Sequence, residues 1–281
     1  MYLTQKNNLR NLDKETYEIL VKLSSLSKNI YNVGVYNIRK NYFNNGTISN
    51  FYDIYKVCKQ NENYPLLVAC AQATLLTVDA TFKSFLGLLK LKKQGKYDAK
   101  VKLPGYLPKD GYHPITWVST GIKIIDGQIR LSMTREFKKQ FNISKDYLYF
   151  PLPKNVEGKK IQQVKIKPSY KAKSFSIHIT YKEDIKEHEL DSSEFLAIDL
   201  GVNNFASCIS TLGTSFILDG RRIKSINQKW NKEVARLKSI LDKQEPNSKR
   251  YSHQLYRLTI KRNNRVREFI NQSINHIVKY C

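Results

Sequence analysis

The feature that most constrains this chain is a change in the spacing of its apolar residues. From Asp13 to about Asn44, apolar residues recur at helical spacing (Ile19, Leu23, Leu26, Ile30 and Val33). Asp13 stands where an N-cap belongs, and "NNGT" (Asn44 to Thr47) supplies a stop. A short helix is expected through Phe51, Ile54, Tyr55 and Cys58. A longer one is expected from near Pro65 through Leu75, Val78, Phe82, Phe85 and Leu89. After Gly95 the period drops to two. "GIKIIDGQIRLS" (Gly121 to Ser132) predicts a hairpin turning on Asp126-Gly127. "IQQVKIKP" (Ile161 to Pro168) and "FSIHITYK" (Phe175 to Lys182) predict a second pair of strands joined by Ser169 to Ser174. Helices followed by short antiparallel strands set the class as α+β.

Short strands with turn-rich joints over 94–190 suggest a small OB-like β-barrel. Its first strand is expected from residues 1–12, with a helical unit over 13–93 set between that strand and the rest. The polar stretch "KEDIKEHELDSSE" (Lys182 to Glu194) reads as the boundary before a last unit over 191–281. That unit opens with "FLAIDLGVNNFASC" (Phe195 to Cys208), read as a buried strand that ends in the carboxylate Asp199 and turns on Gly201. Strands at Phe205 to Ser210 and Ser215 to Leu218 follow. Next come a helix through Ile226, Trp230, Val234, Leu237 and Leu241, a break at Pro246, and a long helix from about Lys249.

Charge bounds the partners. The 281 residues hold 48 Lys and Arg against 24 Asp and Glu, a net +24. Three runs concentrate the excess. Lys83 to Lys109 has eight Lys against Asp98, and Lys154 to Lys182 has eight against Glu157. Arg221 to Cys281 has 16 basic residues against four acids, which is half the net charge. One charge run is usually a solvated face, but three point to a groove tracking the phosphates of a polyanion. Within the last run, Arg257, Arg262, Arg265 and Arg267 suit bidentate phosphate contact. Tyr106, Tyr112, Trp117 and Trp230 are candidates for base stacking, though each also suits the core or its rim.

Other classes recede. No apolar run reaches about 18 residues, so no membrane partner is expected, and the N-terminus lacks the apolar stretch of a secretory signal. A cytoplasmic, nucleoid-associated protein is the expectation. Cys58, Cys70, Cys208 and Cys281 contain no C-x-x-C pair. His113, His178, His188, His253 and His276 fall in different segments without ligand spacing. Asp199 is the one catalytic candidate, and three readings of it stay open. It suits one ligand of a two-metal phosphodiesterase site. Its glycine turn also resembles the phosphate-cradling "DLGTTN" opening of sugar-kinase and Hsp70-type ATPases, although only 82 residues follow it. The third reading is a solvated turn.

Taken together, the chain resembles the N-terminal two-thirds of the TnpB (OrfB, "probable transposase") family. Those proteins are transposon-encoded RNA-guided DNA endonucleases related to type V CRISPR effectors. The resemblance runs through "ATLLTVDATFKSFL", "ITWVSTGIKIIDGQIRLS" and "IQQVKIKPSYKAKSFSIHITYK". It is most specific at "FLAIDLGVNNFASC" and "DGRRIKSINQKWNKEVARLKSIL".

The resemblance implies a helical recognition unit, an OB-like wedge, and the N-terminal half of a ribonuclease H-like (RuvC) domain with a basic helical hairpin. It makes Asp199 the first catalytic carboxylate and a Mg2+ ligand, with Gly201 and Asn203 as fixed motif positions. It assigns Arg221, Arg222, Lys224, Asn227, Lys229 and Trp230 to a bridge that contacts the heteroduplex. With Arg257, Arg262, Arg265, Lys165 and Lys167, these are the expected contacts to guide RNA and target DNA. The family's later Glu, its zinc ribbon and its final Asp find no counterpart here; Glu233 and Glu268 sit on helices. The family's "PRFK"-like element is altered to "LPGY" (Leu103 to Tyr106). The expectation is a truncated chain that does not cleave by itself and is completed by a separate C-terminal fragment; the alternative is a stand-alone module that holds RNA or an RNA–DNA duplex. In the truncated reading, Phe195 to Ile198 is expected to present an unpaired strand edge; strong protection of that segment would instead favour the stand-alone module.

Overall fold

The computed structural model describes residues 1–184, 191, 193–243 and 253–280. Most of the polar boundary at 182–194 and the break at Pro246 lie outside those residues. The chain divides into two compact units, residues 1–185 and 186–281.

The first unit opens with β1 (Tyr2–Leu9) and three helices: α1 (Lys14–Asn45), α2 (Phe51–Cys58) and α3 (Ala69–Lys93). Their ends follow local chemistry. Asp13 accepts the Thr16 amide at 2.9 Å, and Gly46 closes α1 at φ 67°. Asn50 and Asp53 form a reciprocal capping box on α2. Lys145 and Thr16 hold the Asp13 carboxyl well below the usual carboxylate range. The third helix starts later than Pro65. Tyr64 to Val68 form a turn in which the Val68 amide donates to the Tyr64 carbonyl at 2.8 Å, with Val68 at φ 42°. Helices α1 and α3 approach closely at Gly34, where a Cβ would come within 3.0 Å of Leu75.

The strands β2 (Ile115–Val118), β3 (Ile122–Ile125), β4 (Gln128–Ser132), β5 (Tyr147–Pro151), β6 (Ile161–Ser169) and β7 (Ser174–Lys182) follow, with α4 (Arg135–Phe141) between β4 and β5. Asp126 and Gly127 have φ of 48° and 70°, the two left-handed residues that the β3–β4 turn requires. The expected ring of strands is replaced by two antiparallel sheets, ordered β1-β7-β6-β2 and β3-β4-β5. The hairpin pairs onward with β5 instead of with β2, so neither sheet closes.

A single apolar core joins these sheets to the helices. Val164, Ile166, Ile177 and Ile179 belong to one buried cluster with Ile129, Leu131, Phe137 and Phe150, which continues through Ile19, Ile30, Leu75 and Phe82. Trp117 belongs to this core, with its indole N–H donating to the Ser132 carbonyl at 2.8 Å, and is no stacking platform.

The second unit is β8 (Leu196–Leu200), β9 (Asn204–Ser210), β10 (Ser215–Asp219), α5 (Arg221–Asp242) and α6 (His253–Tyr280). Its sheet runs β10-β9-β8. The row Phe216, Cys208, Ile198 shares one face, on which Phe216 packs against His276 and Tyr280 of α6. A bulge opposite Leu218 and Asp219 accompanies the contact of Phe205 with Phe269 of the same helix. Ala206 and Cys208 are buried there. Among the described residues no helix is long and apolar enough to cross a membrane.

Candidate nucleic-acid interface

Strand β8 is exposed, contrary to its apolar sequence. Phe195, just before β8, and Ile198 and Leu200 within it are 64%, 45% and 71% accessible, because among the described residues β8 pairs on one side only and α6 reaches over β9 and β10. Asp199 lies on the opposite face in a row with Ser207 and Ile217. It lines a groove of about 490 Å³ with Ala197, Ser207, Ile209 and Ile217.

The turn after Asp199 explains its glycine. A Cβ on Gly201 would lie 2.8 Å from the Asn204 carbonyl oxygen, so no larger residue fits without moving backbone. Gly220 is equally confined, with a Cβ 2.7 Å from the Val202 carbonyl oxygen, and its amide donates to the Asn203 carbonyl at 2.8 Å. Lys224 donates to the Asn203 side chain. Asn203 thus clasps the turn to the start of α5 through its carbonyl and its side chain, while Gly201 lets the turn itself close against Asn204.

Helices α5 and α6 pack as an antiparallel hairpin. Arg222 reaches Gln272 at 3.4 Å near one end, and Arg262 donates to Asn227 at 2.8 Å further along. The Arg262 guanidinium also sits 5.4 Å from the centre of the Trp230 ring. Arg262, Asn227, Trp230 and Lys224 are therefore engaged in holding the hairpin and turn together. Lys229, Arg257 and Arg265 are exposed, as is Arg221, whose backbone N–H is accepted by Asp219 at 2.9 Å.

The first unit offers a separate basic surface. Lys165 and Lys167 lie on the outer face of the four-stranded sheet, opposite the buried Val164 and Ile166. Register extends this face to residues that the sequence reading passed over. Lys6, His178 and Lys165 form one cross-strand row that ends at the buried Thr116, and Asn8 and Lys167 flank the buried Ser176 in the next. Neither row contains an acid. The signal was the alternation in "YLTQKNNL", which gains meaning only once β1 is known to pair with β7.

Among the described residues no three His, Cys, Asp or Glu side chains converge as a metal site. Burial pushes the Cys58 and Cys70 thiols up to about 11 and about 12, which keeps them protonated and poor ligands.

Residues 177–281 match the family model OrfB_IS605, described as "Probable transposase". No curated protein matches the chain. A solved Cas12f1–sgRNA–target DNA complex is similar at TM-score 0.55 and 14% identity, over 95% of this chain and 63% of that one. A CRISPR-Cas12f ternary complex is similar at TM-score 0.43 and 15% identity, over 95% and 61%. The chain thus spans less than two thirds of the length of either structure. The former likeness is one of fold, and it agrees with the mixed α+β arrangement described above. The sequence resemblance and the family match coincide over residues 177–281, which are similar to the OrfB probable-transposase family.

Proposed function

We propose that the chain is the nucleic-acid-holding portion of a TnpB-type RNA-guided DNA endonuclease, binding guide RNA and target DNA. In this reading the sheets of the first unit serve as the wedge, and β8 to α6 are the opening half of a RuvC-like domain. The observation that carries it is Asp199, exposed on β8 and clasped to a basic helical hairpin, inside the segment that matches the transposase family. The acid-free rows of Lys6, Lys165 and Lys167 support phosphate contact by the other unit.

Two-metal phosphodiester chemistry needs several carboxylates to hold ions about 4 Å apart. Asp199 alone does not fit that requirement, and no cluster among the described residues completes it. In this reading residues 1–281 bind without cutting, and the nuclease centre needs carboxylates other than those of the described residues. The test is a cleavage assay with magnesium, RNA and a target duplex. The chain alone should leave the duplex intact. A separate polypeptide carrying the family's C-terminal third should restore cutting that Asp199→Ala abolishes. Asp199→Ala should leave RNA affinity nearly unchanged, since a carboxylate near phosphate repels it. Magnesium-dependent cutting by the 281 residues alone, lost in Asp199→Ala, would overturn this assignment.

The lack of a carboxylate cluster around Asp199 among the described residues also favours a second reading, a stand-alone module that holds RNA or an RNA–DNA duplex. Failure of the added polypeptide to restore cutting, with RNA binding intact, would select it.

A further inference from the structure

An unassigned cluster stands on α1. Lys28, Asn32 and Arg39 share one helical face, and all three grip the backbone of the segment 104–109. Lys28 donates to the Lys109 carbonyl at 3.0 Å. Asn32 donates to the Leu107 carbonyl at 3.0 Å and accepts the Leu107 amide at 2.8 Å. Arg39 donates to the Pro104 carbonyl at 2.9 Å. The loop is thus fixed through its main chain, and the Tyr106 side chain is left free to project. Its ring centre lies 5.5 Å from the Arg39 guanidinium, and the Phe43 ring centre lies 5.5 Å from the same group. Phe43 and Tyr106 are 66% and 51% accessible.

Single exposed aromatics are ordinary. Two of them, each with its ring beside one guanidinium that a backbone carbonyl already orients, form a pre-ordered aromatic and cationic surface. An aromatic face takes another π-system, and an arginine with N–H groups to spare takes acceptors at that system's edge. The loop leading into Tyr106 carries Lys100 and Lys102, both exposed, which complement a phosphate chain. We infer that Phe43, Arg39 and Tyr106 form a stacking site for an unpaired base of a nucleic-acid strand. Bases inside a duplex keep their faces covered and do not qualify. The inference rests on the proposed nucleic-acid function and deepens it by naming what this surface of the first unit reads.

The experiment compares binding of the full chain to a short fluorescent oligothymidine and to an abasic strand of equal length and charge. Tyr106→Ala and Phe43→Ala should each weaken binding to the base-bearing strand by about 5- to 100-fold. Binding to the abasic strand should be unchanged. Tyr106→Trp should retain affinity and Tyr106→Leu should not, which separates stacking from apolar area. Equal weakening on both strands, or full rescue by leucine, would overturn the stacking site while leaving the proposed function standing. If the unmodified chain binds neither strand, the nucleic-acid reading fails and the inference fails with it.

Discussion

Gly201 and Gly220 face the same turn from opposite ends, and the carbonyls of Asn204, Val202 and Asn203 leave neither one space for a methyl group. Gly201→Ala should therefore destabilise the second unit by about 1–3 kcal/mol, the usual cost of forcing an atom into filled space. Amide exchange over β8 and β9 should quicken, with the first unit unaffected. His113 gives a second residue-scale test. It stacks on Tyr31, its Nδ1 lies 3.0 Å from both the Ser27 hydroxyl and the Pro114 carbonyl, and Lys165 is near. Burial holds it neutral, down to about 4. The unfolded chain protonates first, near 6.5. This contribution to stability is therefore complete above that pH and is lost as pH falls toward 4. It amounts to about 3 kcal/mol at most. Denaturant unfolding should show His113→Phe, which keeps the stack, losing less stability than the native chain over that window.

Elements whose signals are local were legible beforehand. Asp13 capping α1, Asp126-Gly127 turning β3 into β4, and the bounds of β6 and β7 each depend on a few adjacent residues. The start of α3 was misplaced because Pro65 is a helix-start signal, whereas the chain instead turns at Val68. What depends on distant neighbours was not legible. "FLAI" reads as buried, but burial needs a strand on each side and a layer on each face, and periodicity reports neither. The apolar side chains of β8 are accessible for that reason.

The pairing of β8 makes a sharp prediction. The Gly201 amide donates to the Phe205 carbonyl and the Thr211 amide to the Phe195 carbonyl, so odd-numbered residues of β8 face β9. The amides of Leu196, Ile198 and Leu200 then point to the open edge. They should exchange fast in the isolated chain, while those of Ala197 and Asp199 are protected. An added polypeptide that pairs along this edge should protect all five. Strong protection of the even residues in the chain alone would mean that it has closed its own edge.

At the scale of the molecule, the charge excess was legible as a sum and not as a surface. Sequence counts Arg262 among the expected phosphate contacts, and the structure adds that it joins α5 to α6 through Asn227 and Trp230. The sequence reading passed over Lys6, which register sets beside Lys165 and His178. A positive charge holding a hairpin and one facing solvent are the same letter, and only packing separates them. Reversing the balance locally should therefore act unequally. Lys165→Glu with Lys167→Glu should weaken RNA binding with the fold intact, whereas Arg262→Glu should also lower the melting temperature of the second unit.

The most direct measurement for the central claim is RNA affinity of the 281-residue chain against salt concentration. A chain that holds a polyanion through rows of lysine and arginine must release several counterions on binding. The logarithm of its affinity should fall linearly and steeply with the logarithm of salt, and the slope should become shallower by about one for each phosphate-contacting lysine removed at 165 and 167. An affinity that stays flat from low to physiological salt would contradict the account.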